Sequence, residues 1–175
     1  MKNMVYCLIC NILLVALVIL TSCSSEQVSI VPAPVHMEQA EGDFTFTDET
    51  VISTGDSALL PVGEWFAGLF GTSAGFVPEV KVAEDEADIM FHKDTTMVAE
   101  AYRLEVAEDG IDIYASSAPG FFYALQTLRL ALPCQISGNA LIKGVDWTVP
   151  AMNISDAPRF EYRGGSAKVL AMLPV

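Results

Sequence analysis

"AYRLEVAEDGIDIYASSAPGFFYALQTLRLALP", residues 101–133, holds the fold in miniature. Tyr102, Leu104 and Val106 alternate with polar neighbours, and so do Ile111 and Ile113, which is the period of half-buried strands. Between them Glu108-Asp109-Gly110 carries the Asp-Gly signal of a tight hairpin turn. Downstream, Ser116 or Ser117 is placed to cap a helix, and Pro119 falls in the first turn, where its missing N–H costs nothing. Phe121, Leu125, Leu128 and Leu132 recur at i, i+4, i+7 and i+11, one face of that helix. Gln126 and Arg129 mark the other side, and Pro133 closes the element. A hairpin feeding an amphipathic helix predicts a sheet that uses the helix to cover its apolar face.

Working outward, "ADIMFHKD" predicts a further strand over Ala87–His92. Before it, Asp56 or Ser57 is placed to cap a second helix with Pro61 near its first turn. Val62, Phe66 and Leu69 mark one face of it, and Gly71 is the expected stop. Trp65 reads as part of the core side or its edge, with a sugar-stacking platform as the alternative. "GDFTFTDETVIST" alternates Phe44 and Phe46, then Val51, around the polar turn Thr47–Thr50, and predicts two short strands. The first strand is expected at Val28–Val31, stopped by Pro32 and Pro34. After the helix that Pro133 closes, the chain reads as an extended tail through "WTVPAMNISDAPRF". The class is α+β: a mostly antiparallel sheet with two helices on one face.

Nine Lys+Arg stand against 22 Asp+Glu, a formal net charge of −13. Nucleic acid is therefore not an expected partner, because phosphate backbones require clustered cations. The N-terminus "MKNMVYCLICNILLVALVILTSCSS" has one early cation, Lys2, then an apolar run ending at Leu20. That is a secretory signal pattern, shorter than the ~20 apolar residues of a spanning helix. Its exit, Leu20-Thr21-Ser22-Cys23, resembles a bacterial lipobox. Residues 1–22 are then a lipoprotein signal peptide, Cys23 the lipidated first residue, and 23–27 a tether. Ser24 after the cysteine points to the outer membrane of a Gram-negative envelope. Ordinary signal cleavage nearby is the alternative. Cys7 and Cys10 lie inside the apolar signal, and Cys134 alone remains in the folded part, so no internal disulfide is expected. Cys134 follows Pro133 at a helix exit, where a small half-buried residue is the default and a nucleophile the weaker reading.

No H-E-x-x-H, Cys/His cluster, G-x-S-x-G, Walker lysine or G-x-G-x-x-G occurs, so no metal site, cofactor or catalytic residue is assigned. His36 reads as a turn residue and His92 as a strand end. Asp48-Glu49 and Glu84-Asp85-Glu86 with Asp88 are carboxylate pairs. A glycosidase, however, needs two carboxylates held across one bond by a rigid scaffold, and these lie in polar turns.

Four stretches, in order over Ile30–Gly164, resemble the N-terminal domain of the bacterial β-N-acetylhexosaminidases of glycoside hydrolase family 20. They are "VPAPVHMEQAEGDFTFTDETVI", "AYRLEVAEDGIDIYASSAPGFFYALQTLRLAL", "VPAMNISDAPRF" and "EYRG". The resemblance implies an α+β accessory unit beside a catalytic (β/α)₈ barrel, with "PRFEYRG" entering the first barrel strand. It implies that Arg163 matches the arginine that binds hydroxyls of a terminal N-acetylhexosamine. It also implies substrate-assisted catalysis, by an Asp-Glu pair further inside the barrel. The chain departs from that pattern after Gly164: "GSAKVLAMLPV" lacks the expected Asp, and a barrel needs roughly 250 residues. The expected organisation is residues 28–146 as the domain, 147–164 as a linker to the barrel and 165–175 as an unmatched tail. Expected partners are the catalytic barrel, N-acetylhexosamine glycans and, through a lipid anchor, a membrane. The alternative function is a stand-alone surface lipoprotein that binds glycan or a protein.

Overall fold

The computed structural model describes residues 28–84 and 87–160. In chain order the elements are β1 (His36–Thr45), β2 (Val51–Thr54), α1 (Leu60–Ser73), β3 (Glu79–Val82), β4 (Ile89–Lys93), β5 (Tyr102–Ala107), β6 (Gly110–Ala115), α2 (Ala118–Ala131) and β7 (Thr148–Asp156). Single 3₁₀ turns occupy Ser57–Leu59 and Cys134–Ser137. The strands form one sheet in the order β1-β7-β5-β6-β4-β2-β3. Pairing is antiparallel from β1 through β7 and β5 to β6, and parallel from β6 through β4 and β2 to β3.

Strand alternation gives the sheet two unlike faces. Ile52, Ile89, Ile111, Val106 and Met152 lie side by side in register across five strands, and all five are buried. The next buried row runs Thr54, Phe91, Ile113, Leu104, Ile154. Both helices cover this face. In α2, Phe121, Leu125 and Leu128 are fully buried, and Leu132 just beyond the helix is buried with them. In α1, Phe66 and Phe70 reach the core, while Val62 and Leu69 are half-buried. Phe46 stacks on Phe70 at 4.8 Å between centroids, and Trp147 meets Phe70 edge-on at 6.1 Å, which closes the core at the α1 end.

Two glycines allow the helices to lie this close. A Cβ at Gly63 would stand 2.9 Å from Val80 Cγ1, and one at Gly120 would stand 2.6 Å from the Ala101 carbonyl oxygen. The second neighbour is backbone and cannot swing aside.

The α+β class, the hairpin and the apolar face of α2 are as the sequence indicates. In detail the sheet is mixed: three of its pairings are antiparallel and three are parallel, because β2, β3, β4 and β6 run the same way. Other expectations change. Val28–Val31 is not a strand; Ile30 enters the core, but pairing begins at His36, in β1 rather than in a turn. Thr148–Asp156, expected to lead out of the domain, is a strand between β1 and β5. The folded unit therefore includes Trp147 to Asp156, and the linker is correspondingly shorter. Helix α1 runs past Gly71 to Ser73, whose buried Oγ donates to the carbonyls of Ile136 and Gly138. In the hairpin Ala107 pairs with Gly110, which leaves Glu108-Asp109 as the two-residue turn with no left-handed residue. Gly110 serves instead a close approach, since a Cβ there would lie 3.2 Å from the Asp88 carbonyl oxygen.

Leu125→Ala should cost about 2–5 kcal/mol in urea unfolding, as a buried large-to-small change. Gly120→Ala, which in an open helix gains up to ~1 kcal/mol, should here destabilise by about 1–3 kcal/mol. A stabilised Gly120→Ala would mean that the helix stands further from the sheet than described.

Candidate functional site

Parallel strands with a helix after them leave a crevice at their carboxyl ends, the usual ligand position in open α/β sheets. Here that crevice is a cavity of about 750 Å³, between the loop after β2 and the end of β4. Four of its polar side chains are already hydrogen-bonded within the protein. Ser53 Oγ donates to the Ala83 carbonyl at 2.7 Å. Thr54 Oγ1 bridges the Asp56 backbone at 3.2 and 3.3 Å. Asp56 Oδ1 accepts from Ala58 N at 3.0 Å, and Oδ2 accepts from Lys93 Nζ at 3.0 Å. The Ala58 amide first, then Lys93, hold the Asp56 carboxyl below the usual range.

The outer face of the sheet carries the complementary rows. Met90, Asp112, Glu105 and Asn153 form one; His92, Tyr114, Arg103 and Ser155 form the other. His92 Nε2 meets Asp112 Oδ1 at 2.5 Å and stacks on Tyr114 at 4.6 Å between centroids. The Arg103 guanidinium lies 4.0 Å from the centroid of the same ring, and its Nε is paired with Glu105 at 2.9 Å. Tyr114 is thus engaged by both neighbours and offers no free platform for a sugar. Beside the rows, a cleft of about 690 Å³ is lined by Glu41, Glu105, Glu108, Asp109 and Asp112 among others.

At the opposite end of the strands, a hollow of about 380 Å³ collects Asp43, Glu49, Asp88, Glu108 and Asp109. Asp88 is structural: its Oδ2 accepts the Val51 amide at 2.8 Å and fixes the start of β2. Glycoside hydrolysis needs one carboxyl with a raised pKa as general acid. The two shifted carboxyls among the described residues, Asp56 and Asp94, both move down, Asp94 through hydrogen bonds from Thr96. Among the described residues no group of three His, Cys, Asp or Glu could hold a metal ion.

Of the residues singled out from the sequence, Trp65 lies at the core edge, 4.8 Å between ring centroids from Phe122. Cys134 is a free thiol and is exposed rather than half-buried, because the 3₁₀ turn after Pro133 directs Ile136 inward instead. His36 opens β1, exposed beside Glu38. Cys23, Arg163, Asp85 and Glu86 lie outside the described residues. The His92–Tyr114–Arg103 ladder was not anticipated. Alternation places each of the three on an outward face, but their juxtaposition depends on parallel register between β4 and β6.

The fold agrees with what the chain resembles. Residues 27–157 match glycosyl hydrolase family 20, domain 2. The chain belongs to that family, and the match spans the sheet from before β1 to just past β7. It is 36% identical over 149 residues to a β-N-acetylhexosaminidase of Cellulomonas fimi, covering 81% of this chain and 28% of that protein. It is 30% identical over 142 residues to a β-hexosaminidase of Porphyromonas gingivalis, covering 78% of this chain and 18% of the relative. The N-acetyl-β-hexosaminidase of Streptomyces plicatus, solved in complex with Thio-NAglucal, superposes with a TM-score of 0.70 at 29% identity, over 77% of this chain and 27% of that one. The chain therefore spans less than a third of these relatives.

One buried polar pair ties α2 to the sheet: Tyr102 Oη and Thr127 Oγ1 meet at 2.6 Å. Burial pushes the Tyr102 phenol up to about 12. Below the unfolded-state value of about 10 the phenol is neutral in both states and the pair contributes in full. As pH rises towards 12 the unfolded chain ionises first, and this stability is lost. Thermal melts should therefore fall between pH about 10 and 12. In Tyr102→Phe that component should vanish, while stability at pH 7 drops by about 1–3 kcal/mol. An unchanged alkaline slope would show that the phenol is not the titrating group.

Proposed function

We propose that this domain is the non-catalytic N-terminal unit of a β-N-acetylhexosaminidase that removes terminal N-acetylhexosamine from glycans or chitooligosaccharides. The observation that carries the reading is the coincidence of the family match with one complete sheet, in relatives of which the match covers only 18% and 28%. Chemistry then belongs to a separate barrel, joined through residues 161–164, in which Arg163 would hold sugar hydroxyls. The outer sides of α1 and α2 support a packed neighbour: the only charges in these 28 helical residues are Glu64 and Arg129. A helix that faces water normally carries a charged stripe. The chain is exported and held to the cell envelope by lipid on Cys23.

The purified chain should give no release of p-nitrophenol from the N-acetyl-β-glucosaminide above background. General acid–base help alone contributes about 10²–10⁴-fold, and it requires carboxyls walled into one pocket. Turnover that survives Arg163→Ala would overturn the non-catalytic reading. For the anchor, labelling with a palmitate analogue in a bacterial host should mark the chain and be lost in Cys23→Ala. Label retained by that variant would sink it.

A further inference from the structure

The sheet ends in two edge strands, β1 and β3. An open edge presents N–H and C=O groups to any strand that can match them, and bulges and repeated charge blunt it. The two edges differ in this. Along β1 stand Glu38, Glu41 and Asp43, the register shifts between Gln39 and Asp43, and Gly42 has a left-handed backbone with φ 99°. A second β1 laid there would meet like charges and an interrupted ladder. β3 runs beside β2 from Glu79 to Val82 without a register shift, and its two charges, Glu79 and Lys81, are of opposite sign. Among the described residues neither forms an ion pair. Backbone parity shows which groups of β3 face outward. The Glu79 amide donates to the Thr50 carbonyl and the Ala83 amide to the Thr54 carbonyl, each at 3.1 Å. Alternate residues counted from Glu79 therefore bond to β2, and Val80 and Val82 turn their N–H and C=O groups away from it. The Val80 side chain lies against Gly63 of α1, so Val80 and Val82 share the helix face of the sheet and Glu79 and Lys81 the outer face.

We infer that the β3 edge is a seam for a second copy of this chain, whose own β3 adds antiparallel about a two-fold axis through Val80. In that register Val80 and the partner's Val80 exchange two N–H···O=C bonds, and each Val82 amide donates to the partner's Pro78 carbonyl. Pro78 has no N–H to return, which forfeits one bond per copy. Glu79 stands directly opposite the partner's Lys81 at a non-hydrogen-bonded position, where facing side chains come closest. The axis repeats that pair, so one Glu-x-Lys triplet supplies two ion pairs, as an isologous interface requires. Charge also selects the register. Moving the axis one residue either way sets Lys81 against the partner's Lys81, or Glu79 against the partner's Glu79. On the helix face the seam covers Val82, which is 49% exposed in the single chain. The seam is short, so association is reversible and concentration-dependent. It lies along the side of the sheet and does not rest on the accessory-unit reading.

Sedimentation equilibrium of the full-length chain, in a detergent density-matched to the solvent, should show a monomer–dimer equilibrium. Glu79→Lys and Lys81→Glu each turn both ion pairs into like-charge pairs, and each should weaken the dimer about tenfold or more. The double variant Glu79→Lys/Lys81→Glu restores opposite charges across the axis and should recover the dimer. Glu38→Lys, on the other edge, should leave the dimer constant unchanged. Both seam positions are on the surface of the single chain, and circular dichroism of the two single variants should match that of the parent. A chain that stays monomeric at every concentration would overturn the seam. So would a dimer that neither single reversal weakens, or a double reversal that dimerises no better than the singles. A dimer weakened by Glu38→Lys and not by Lys81→Glu would assign the contact to β1 and overturn the proposal.

Discussion

The fold depends on how closely the first turn of α2 approaches the sheet. At Gly120 there is no room for a methyl group against the Ala101 carbonyl. That contact sets the depth at which Phe121, Leu125 and Leu128 meet the rows of Leu104, Ile111 and Ile113. The Tyr102–Thr127 hydrogen bond fixes the helix's position along the strands, since a slip of one turn would break a bond between two buried hydroxyls. With α2 placed, α1 has one position left beside it over β2 and β3, and Gly63 makes the corresponding approach to Val80.

Local signals made part of this legible. The hairpin and α2 are encoded over 33 contiguous residues by period, and both form where read, although Ser117 at the N-cap makes no side-chain capping bond and the turn is Glu108-Asp109. The pairing of β2, β4 and β6 is not local. Four or five residues such as Val51–Thr54 carry no sign of direction, and only the crossover through α1 makes them parallel. β7 was hidden by Pro150, a residue that argues against a central strand. The structure tolerates it for a geometric reason. Pairing of β7 with β5 runs only from Met152 to Asp156, so Pro150 lies beyond that ladder. On its other side it faces Asp43, where β1 bulges and the register shifts. A proline that needs no N–H partner on either side is compatible with a strand otherwise paired on both.

The candidate site was legible in part. Turn carboxylates such as Asp48 and Glu49 could be set aside from their neighbours. That the crevice at the carboxyl ends of β2 and β4 is spent on itself could not, because Lys93 reaches Asp56 across 37 residues of chain. A ligand entering there would have to displace the Lys93–Asp56 pair already made within the protein.

The sheet also begins and ends in one place. His36, the first residue of β1, lies opposite Ser155, the penultimate residue of β7, so the polypeptide enters and leaves through neighbouring strands. The domain is in this sense a tab rather than a link: a host chain interrupted by it would have its two cut ends returned almost side by side. Such a unit can be gained, lost or exchanged with little change in the spacing of whatever flanks it, as is general for domains whose termini lie close together. Modularity of this kind follows from the single antiparallel pairing of β1 with β7, and it would disappear if β1 were moved to the other edge of the sheet.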